Sequence, residues 1–74
     1  MLWFFEKGAE RLQCEILAAA DGPGVELVWS QHGETHCERF ANVADAEKRR
    51  LHLQESLLHD GWKLVGNEPP KRFL

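Results

Sequence analysis

An α+β domain is predicted: a four-stranded antiparallel meander packed on one C-terminal helix (ββββα), with a possible short fifth strand or arm after it. Two observations predict it. Three turns in the first forty residues each set a strand register, and the three registers agree on which side chains share a face. The apolar period then changes from two to that of a helix.

Gly8-Ala9 suits a two-residue hairpin loop, because Gly accepts the positive φ of its first position. Such a loop sets Lys7 against Glu10, Glu6 against Arg11, Phe5 against Leu12 and Trp3 against Cys14. The first two pairs are of opposite charge, and each good cross-strand pair contributes roughly 0.2–1 kcal/mol. Asp21-Gly22-Pro23-Gly24 is dense in turn formers. Taken as a four-residue loop, it sets Ala20 against Val25, Ala18 against Leu27 and Ile16 against Trp29. His32-Gly33 sets Ser30 against Thr35, Trp29 against His36, Val28 against Cys37, Glu26 against Arg39 and Val25 against Phe40.

These pairings give strands at 2–7, 11–19, 25–31 and 35–40. One face carries Trp3, Phe5, Leu12, Cys14, Ile16, Ala18, Val25, Leu27, Trp29 and Phe40, and is the core face. The other is mixed: Glu6, Arg11, Gln13, Glu15, Glu26, Ser30 and Arg39, together with Leu2, Phe4, Leu17, Val28 and Cys37. Glu38 falls on the core face opposite Leu27. On an edge strand, an inward charge is tolerated and discourages edge-to-edge pairing.

From Val43 to His59 there is no Gly and no Pro, and Asn42 is a good N-cap. Gly61 suits the C-terminus of that helix. Its apolar surface is split. Ala44, Leu51 and Leu58 form one line, and Ala46, Leu53 and Leu57 another, with Glu47, Arg50 and Gln54 between them. Lys48, Arg49, His52, Ser56 and His59 make the solvent side. One stripe docks on a sheet, and the second is spare. Trp62–Val65 is the possible fifth strand or arm. Residues 1–66 form the domain, and residues 67–74, with the polar break Gly66–Pro70 and the ending Lys71-Arg72-Phe73-Leu74, form a tail that a partner subunit can order.

At 74 residues the chain is one small domain, and domains of this size commonly gain stability from disulfides, metals or a second copy. Cys14 and Cys37 fall on opposite faces two strands apart, beyond the reach of a bridge, so two free thiols and a reducing, cytoplasmic setting are expected. The metal candidates His32, His36, Cys37, His52 and His59 lack ligand spacing. His52 and His59 are separated by about 10.5 Å along a helix, and His36 and Cys37 point to opposite faces. No metal and no cofactor are expected.

A second copy remains, and a homodimer is expected. One helix covers one sheet face, and the uncovered face is more apolar than solvent requires. The partner-binding candidates are Leu2, Phe4, Leu17 and Val28 on the sheet, Leu53 and Leu57 on the helix, and Phe73 in the tail. An unknown protein partner on the same surfaces is the other prospect.

Catalysis is not expected. Ser30 and Ser56 lie in no glycine-flanked elbow, Cys37 faces away from His36, and Glu34, Glu38 and His36 read as a solvated edge. Gly22-Pro23-Gly24 lacks the lysine and helix of a phosphate loop. No apolar run approaches 18 residues, and Met1–Phe5 lacks a basic start, so neither a membrane span nor a signal peptide is expected. A small non-enzymatic protein-interaction or accessory module is the reading. A third possibility is a small-ligand pocket between helix and sheet, lined by Trp29, Trp62 and Leu58.

The alternative is a weak single-strand nucleic-acid binder. Four antiparallel strands and a helix resemble, in element order, the repeat of the Whirly and PUR families, which bind single-stranded nucleic acid on sheet faces. That resemblance carries no residue motif and assigns no binding residue. A net charge of −3 argues against it, and the basic clusters are confined to Lys48-Arg49-Arg50 and Lys71-Arg72. In residue detail, Leu2–Phe5, Leu12–Ile16, Glu38-Arg39-Phe40 and Leu57–Trp62 resemble a class of short uncharacterised bacterial proteins. That resemblance spans residues 2–62 and implies a bacterial origin, with no activity attached.

Overall fold

The computed structural model describes residues 1–31 and 33–68, the side chains of 67 and 68 excepted. It contains β1 (Leu2–Lys7), β2 (Glu10–Ala18), β3 (Val25–Gln31), β4 (Glu34–Phe40), α1 (Val43–His59) and β5 (Lys63–Glu68). The strands form one antiparallel sheet in the order β4-β3-β2-β1-β5, and α1 covers one face.

The first and third registers are as the turns predict, from Trp3 opposite Cys14 to Lys7 opposite Glu10, and from Val25 opposite Phe40 to Gln31 opposite Glu34. Gly8 and Gly33 adopt the positive φ that those turns require, at 60° and 77°. The second register differs. Cys14 faces Trp29, Ile16 faces Leu27 and Ala18 faces Val25. The Ala19 N–H donates to the Gly24 carbonyl at 3.1 Å, so the four loop residues are 20–23 rather than 21–24. Moving the loop by one displaces the pairing by two residues, and a shift of two keeps every side chain on its face.

Helix α1 begins where expected, and the Asn42 side chain accepts from the Asp45 N–H at 2.9 Å. It ends in a Schellman motif. Trp62 N–H reaches the Leu57 carbonyl at 2.9 Å, and Gly61 N–H reaches that of Leu58 at 3.2 Å, with Gly61 at φ 97°. This turn buries Trp62 and launches β5 along β1. The helix has 17 residues, or about 25 Å at 1.5 Å per residue. Five strands at about 4.8 Å spacing span about 19 Å. The length of α1 therefore follows from its task of linking β4 at one sheet edge to β5 at the other.

β5 runs to Glu68, two residues beyond the point where the sequence alone closes the domain. The expected polar break at Gly66–Glu68 is instead strand, because β1 offers it a free edge. Its register with β1 shifts between Phe4 and Phe5, a β-bulge.

The core comprises Trp3, Phe5, Leu12, Cys14, Ile16, Leu27 and Trp29 from the sheet, Ala46, Leu53 and Leu57 from α1, and Trp62. Leu12, Leu27 and Phe5 are almost wholly enclosed, and each contributes about 1.5–3 kcal/mol by leaving water. Among the described residues Arg50 is the one charged residue that is buried, so its place beside the Leu53 and Leu57 line belongs to the core. Ala46, Arg50, Leu53 and Leu57 form a single stripe at helical spacing. Arg50 completes that stripe because its methylenes pack like a hydrophobe and its guanidinium lies on Trp3.

Candidate interaction surface

The uncovered sheet face is built by the alternate residues of each strand. β1 contributes Leu2, Phe4 and Glu6; β2 contributes Arg11, Gln13, Glu15 and Leu17; β3 contributes Glu26, Val28 and Ser30; β4 contributes Thr35, Cys37 and Arg39. Leu2, Phe4 and Val28 are half-buried there, and Leu17 is exposed. The sequence-predicted apolar side chains of the sheet therefore do share the open face.

They do not form one continuous patch. Leu2 and Val28 both lie opposite Glu15, and Phe4 lies opposite Gln13. The polar side chains of β2 divide the apolar ones of β1 from Val28. A shallow hollow of about 370 Å³ sits on this face, lined by Arg11, Gln13, Glu15, Val28, Trp29 and Ser30. Ion pairs border the face at opposite ends of the strands. Arg11 bonds Glu6, with its Nε at 3.1 Å, and Arg39 bonds both Asp21 and Glu26, the latter at 3.1 Å. Donating to the carboxylates of Glu26 and Asp21 raises the pKa of Arg39 and holds it charged.

The helix candidates are reassigned. Leu53 and Leu57 are buried against the sheet and offer nothing to a partner. The spare apolar line is that of Leu51 and Leu58, each 46% exposed. Two lines of similar apolar character, each with one alanine and two leucines, leave the choice open in the sequence; the structure buries Ala46, Leu53 and Leu57 and leaves Ala44, Leu51 and Leu58 exposed. Phe73 lies outside the described residues, as do the tail cations Lys71 and Arg72. The third possibility loses a wall, since Leu58 points to solvent.

The free edge of β4 carries the other cluster. His36 stacks on Trp29 with ring centroids 5.2 Å apart. Arg49, expected on the solvent side, instead lies half-buried over Trp29, its guanidinium carbon 5.5 Å from the centroid. It donates to both carboxylate oxygens of Glu38, at 3.0 and 3.1 Å. The inward-facing Glu38 is thus neutralised by a helix residue that sequence reasoning placed elsewhere. His36 and Cys37 point to opposite faces and make no dyad.

Cys14 is enclosed between β1 and β3 in the row Trp3–Cys14–Trp29, and burial pushes its thiol up to about 11 against the opposing pull of Arg50. Cys37 is exposed, and neither cysteine is bonded to the other. Trp3, Phe5 and Trp29 are buried, so they offer no stacking platform to bases arriving from solution. Among the described residues, no three His, Cys, Asp or Glu side chains converge as metal ligands, and no helix is long and apolar enough to cross a membrane. Compared with known proteins, the chain matches no family model, no curated protein and no solved structure.

Proposed function

We propose that this chain is a small non-enzymatic protein-interaction module that acts as a homodimer in the cytoplasm. One observation carries the reading. A five-stranded sheet has a helix on only one face, and the other face displays Leu2, Phe4, Val28 and Leu17 with no other element of the described residues over them.

Supporting features point the same way. Neither thiol is set beside a base among the described residues: Cys14 is sealed in the core as a thiol, and Cys37 faces away from His36. An exposed Cys37 beside no bonding partner suits a reducing compartment. The cations Arg11 and Arg39 are already engaged by carboxylates, which leaves little positive charge on the sheet for a phosphate backbone.

Sedimentation equilibrium across a wide concentration range tests the reading. A mass rising from 8.5 kDa towards twice that value is expected. A single-chain mass at every concentration removes the homodimer.

A further inference from the structure

The alternation of backbone hydrogen bonds decides which edge groups of the sheet are free. In an antiparallel sheet the N–H and C=O of one residue point to the same side, and successive residues point to opposite sides. The Met1 N-terminus and the Ile16 N–H exchange bonds with the opposite carbonyls at 3.1 and 3.0 Å, so the even residues of β2 serve β1. Ala19 N–H donates to Gly24, so the odd residues of β2 serve β3. The strand pairings then carry the alternation outward. The even residues of β3 serve β2, its odd residues serve β4, and on β4 it is His36, Glu38 and their even neighbours that bond to β3. Thr35, Cys37 and Arg39 are left with three N–H and three C=O groups directed away from the sheet.

We infer that two copies of this chain join through β4, antiparallel, about a two-fold axis at Cys37. This rests on the homodimer reading above but places the contact between copies at the β4 edge, which leaves the two open faces side by side for the module's protein partner. The axis at Cys37 is singled out by the backbone. It sets Cys37 against Cys37 of the second copy and Thr35 against Arg39 in both directions, which satisfies all three outward N–H and all three outward C=O groups. An axis at Thr35 or Arg39 leaves some of them facing loops.

Side chains agree with this register. His36 comes opposite Glu38 of the second copy on the helix face, an opposite-charge pair whenever His36 is protonated. Glu34 comes opposite Phe40, and the directly opposed pairs of the register contain no like charges. Glu38 no longer guards the edge as an unpaired inward charge, because Arg49 neutralises it. The opposite sheet edge is less suited to pairing, since β5 is bent by its bulge. The product is a continuous ten-stranded sheet with both helices on one side and both open faces on the other.

Thiol cross-linking tests the register. Opposed residues lie about 5.5 Å apart between Cα atoms, so a short bis-maleimide is expected to link Cys37 to Cys37, whereas buried Cys14 does not react. In a Cys37→Ser background, a mixture of Thr35→Cys and Arg39→Cys chains is expected to cross-link only as the mixed pair. Residues 35 of the two copies are offset by about 13 Å and are expected not to link to each other. Sedimentation of the same samples separates the failures. Two-chain mass without the Cys37 link, or with linked Thr35→Cys pairs, overturns the β4 interface and leaves the homodimer standing. One-chain mass overturns both.

Discussion

The guanidinium of Arg50 lies over the ring of Trp3, its central carbon 4.1 Å from the ring centroid, inside the contact between helix and sheet. Its nitrogens donate to Gln54 at 2.7 Å and to Glu47 at 3.1 Å, while Nε is buried without a hydrogen-bond partner in the protein. The site thus combines a cation–π contact with an unmet polar demand. Arg50→Ala is expected to cost about 2–4 kcal/mol, because it opens space over Trp3. Arg50→Met fills most of that space and leaves no donor orphaned, so it is expected to stay within about 1 kcal/mol of the native chain. Urea unfolding with an unchanged m-value measures both. Equal losses in the two variants would show that the charge, not the packing, holds the helix there.

Cys14 gives the fold an alkaline limit. Its thiol titrates at about 11 in the folded chain against an ordinary 9.0. Well below pH 9 both folded and unfolded chains carry the proton, and the cysteine adds no pH dependence to stability. Between 9 and 11 the unfolded chain loses its proton first, so stability falls as pH rises, by up to about 2.7 kcal/mol. Above 11 the contribution is lost. The stability difference between the native chain and Cys14→Ala is expected to shrink by that amount across the window, which removes the titration of other groups from the comparison.

Gly24 and Gly8 both take positive φ, but their surroundings differ. A Cβ on Gly24, at φ 101°, would lie 2.6 Å from the Phe40 carbonyl oxygen, whereas one on Gly8, at φ 60°, meets nothing within 4 Å. Gly24→Ala is expected to destabilise by about 2 kcal/mol or more, as backbone has to shift as well as strain. Gly8→Ala is expected to cost about 1 kcal/mol, and Gly8→Asn less. Thermal unfolding of the three variants checks the order.

Proline reads the alternation along β4 directly. His36 directs its N–H to β3 and Cys37 directs its N–H outward. His36→Pro is expected to cost about 3 kcal/mol or more, and Cys37→Pro on the order of 1 kcal/mol, since proline is accepted where an edge N–H faces away from the sheet. Circular dichroism during urea titration distinguishes them. Cys37→Pro is also expected to abolish association while the fold persists.

Much of this architecture was legible in the chain. Gly8-Ala9 and His32-Gly33 join strands through two residues, which leaves one register each, and Trp3, Phe5, Leu12 and Trp29 fall on the buried face as expected. The 20–23 loop was misplaced by one residue, because Asp21-Gly22-Pro23-Gly24 allows several closures and only the Ala19–Gly24 backbone bond selects among them. Parity survived, so the face assignments did too. On α1, composition could not separate the line of Leu53 and Leu57 from that of Leu51 and Leu58. The outcome turned on an arginine that behaves as a core residue, and no local pattern announces that Arg50 meets Trp3 across 47 positions of sequence. The pairing of Arg49 with Glu38 was hidden for the same reason: it depends on how the helix crosses the sheet.

Amide hydrogen exchange along β4, followed across a concentration series, bears most directly on how this protein meets its partner. Thr35, Cys37 and Arg39 are expected to exchange at nearly open-chain rates when the mass is that of one chain, and to become protected as it reaches two. His36 and Glu38, already bonded to β3, are expected to stay protected throughout. A two-chain species in which the Cys37 amide still exchanges at the open-chain rate would contradict the pairing of copies through this strand.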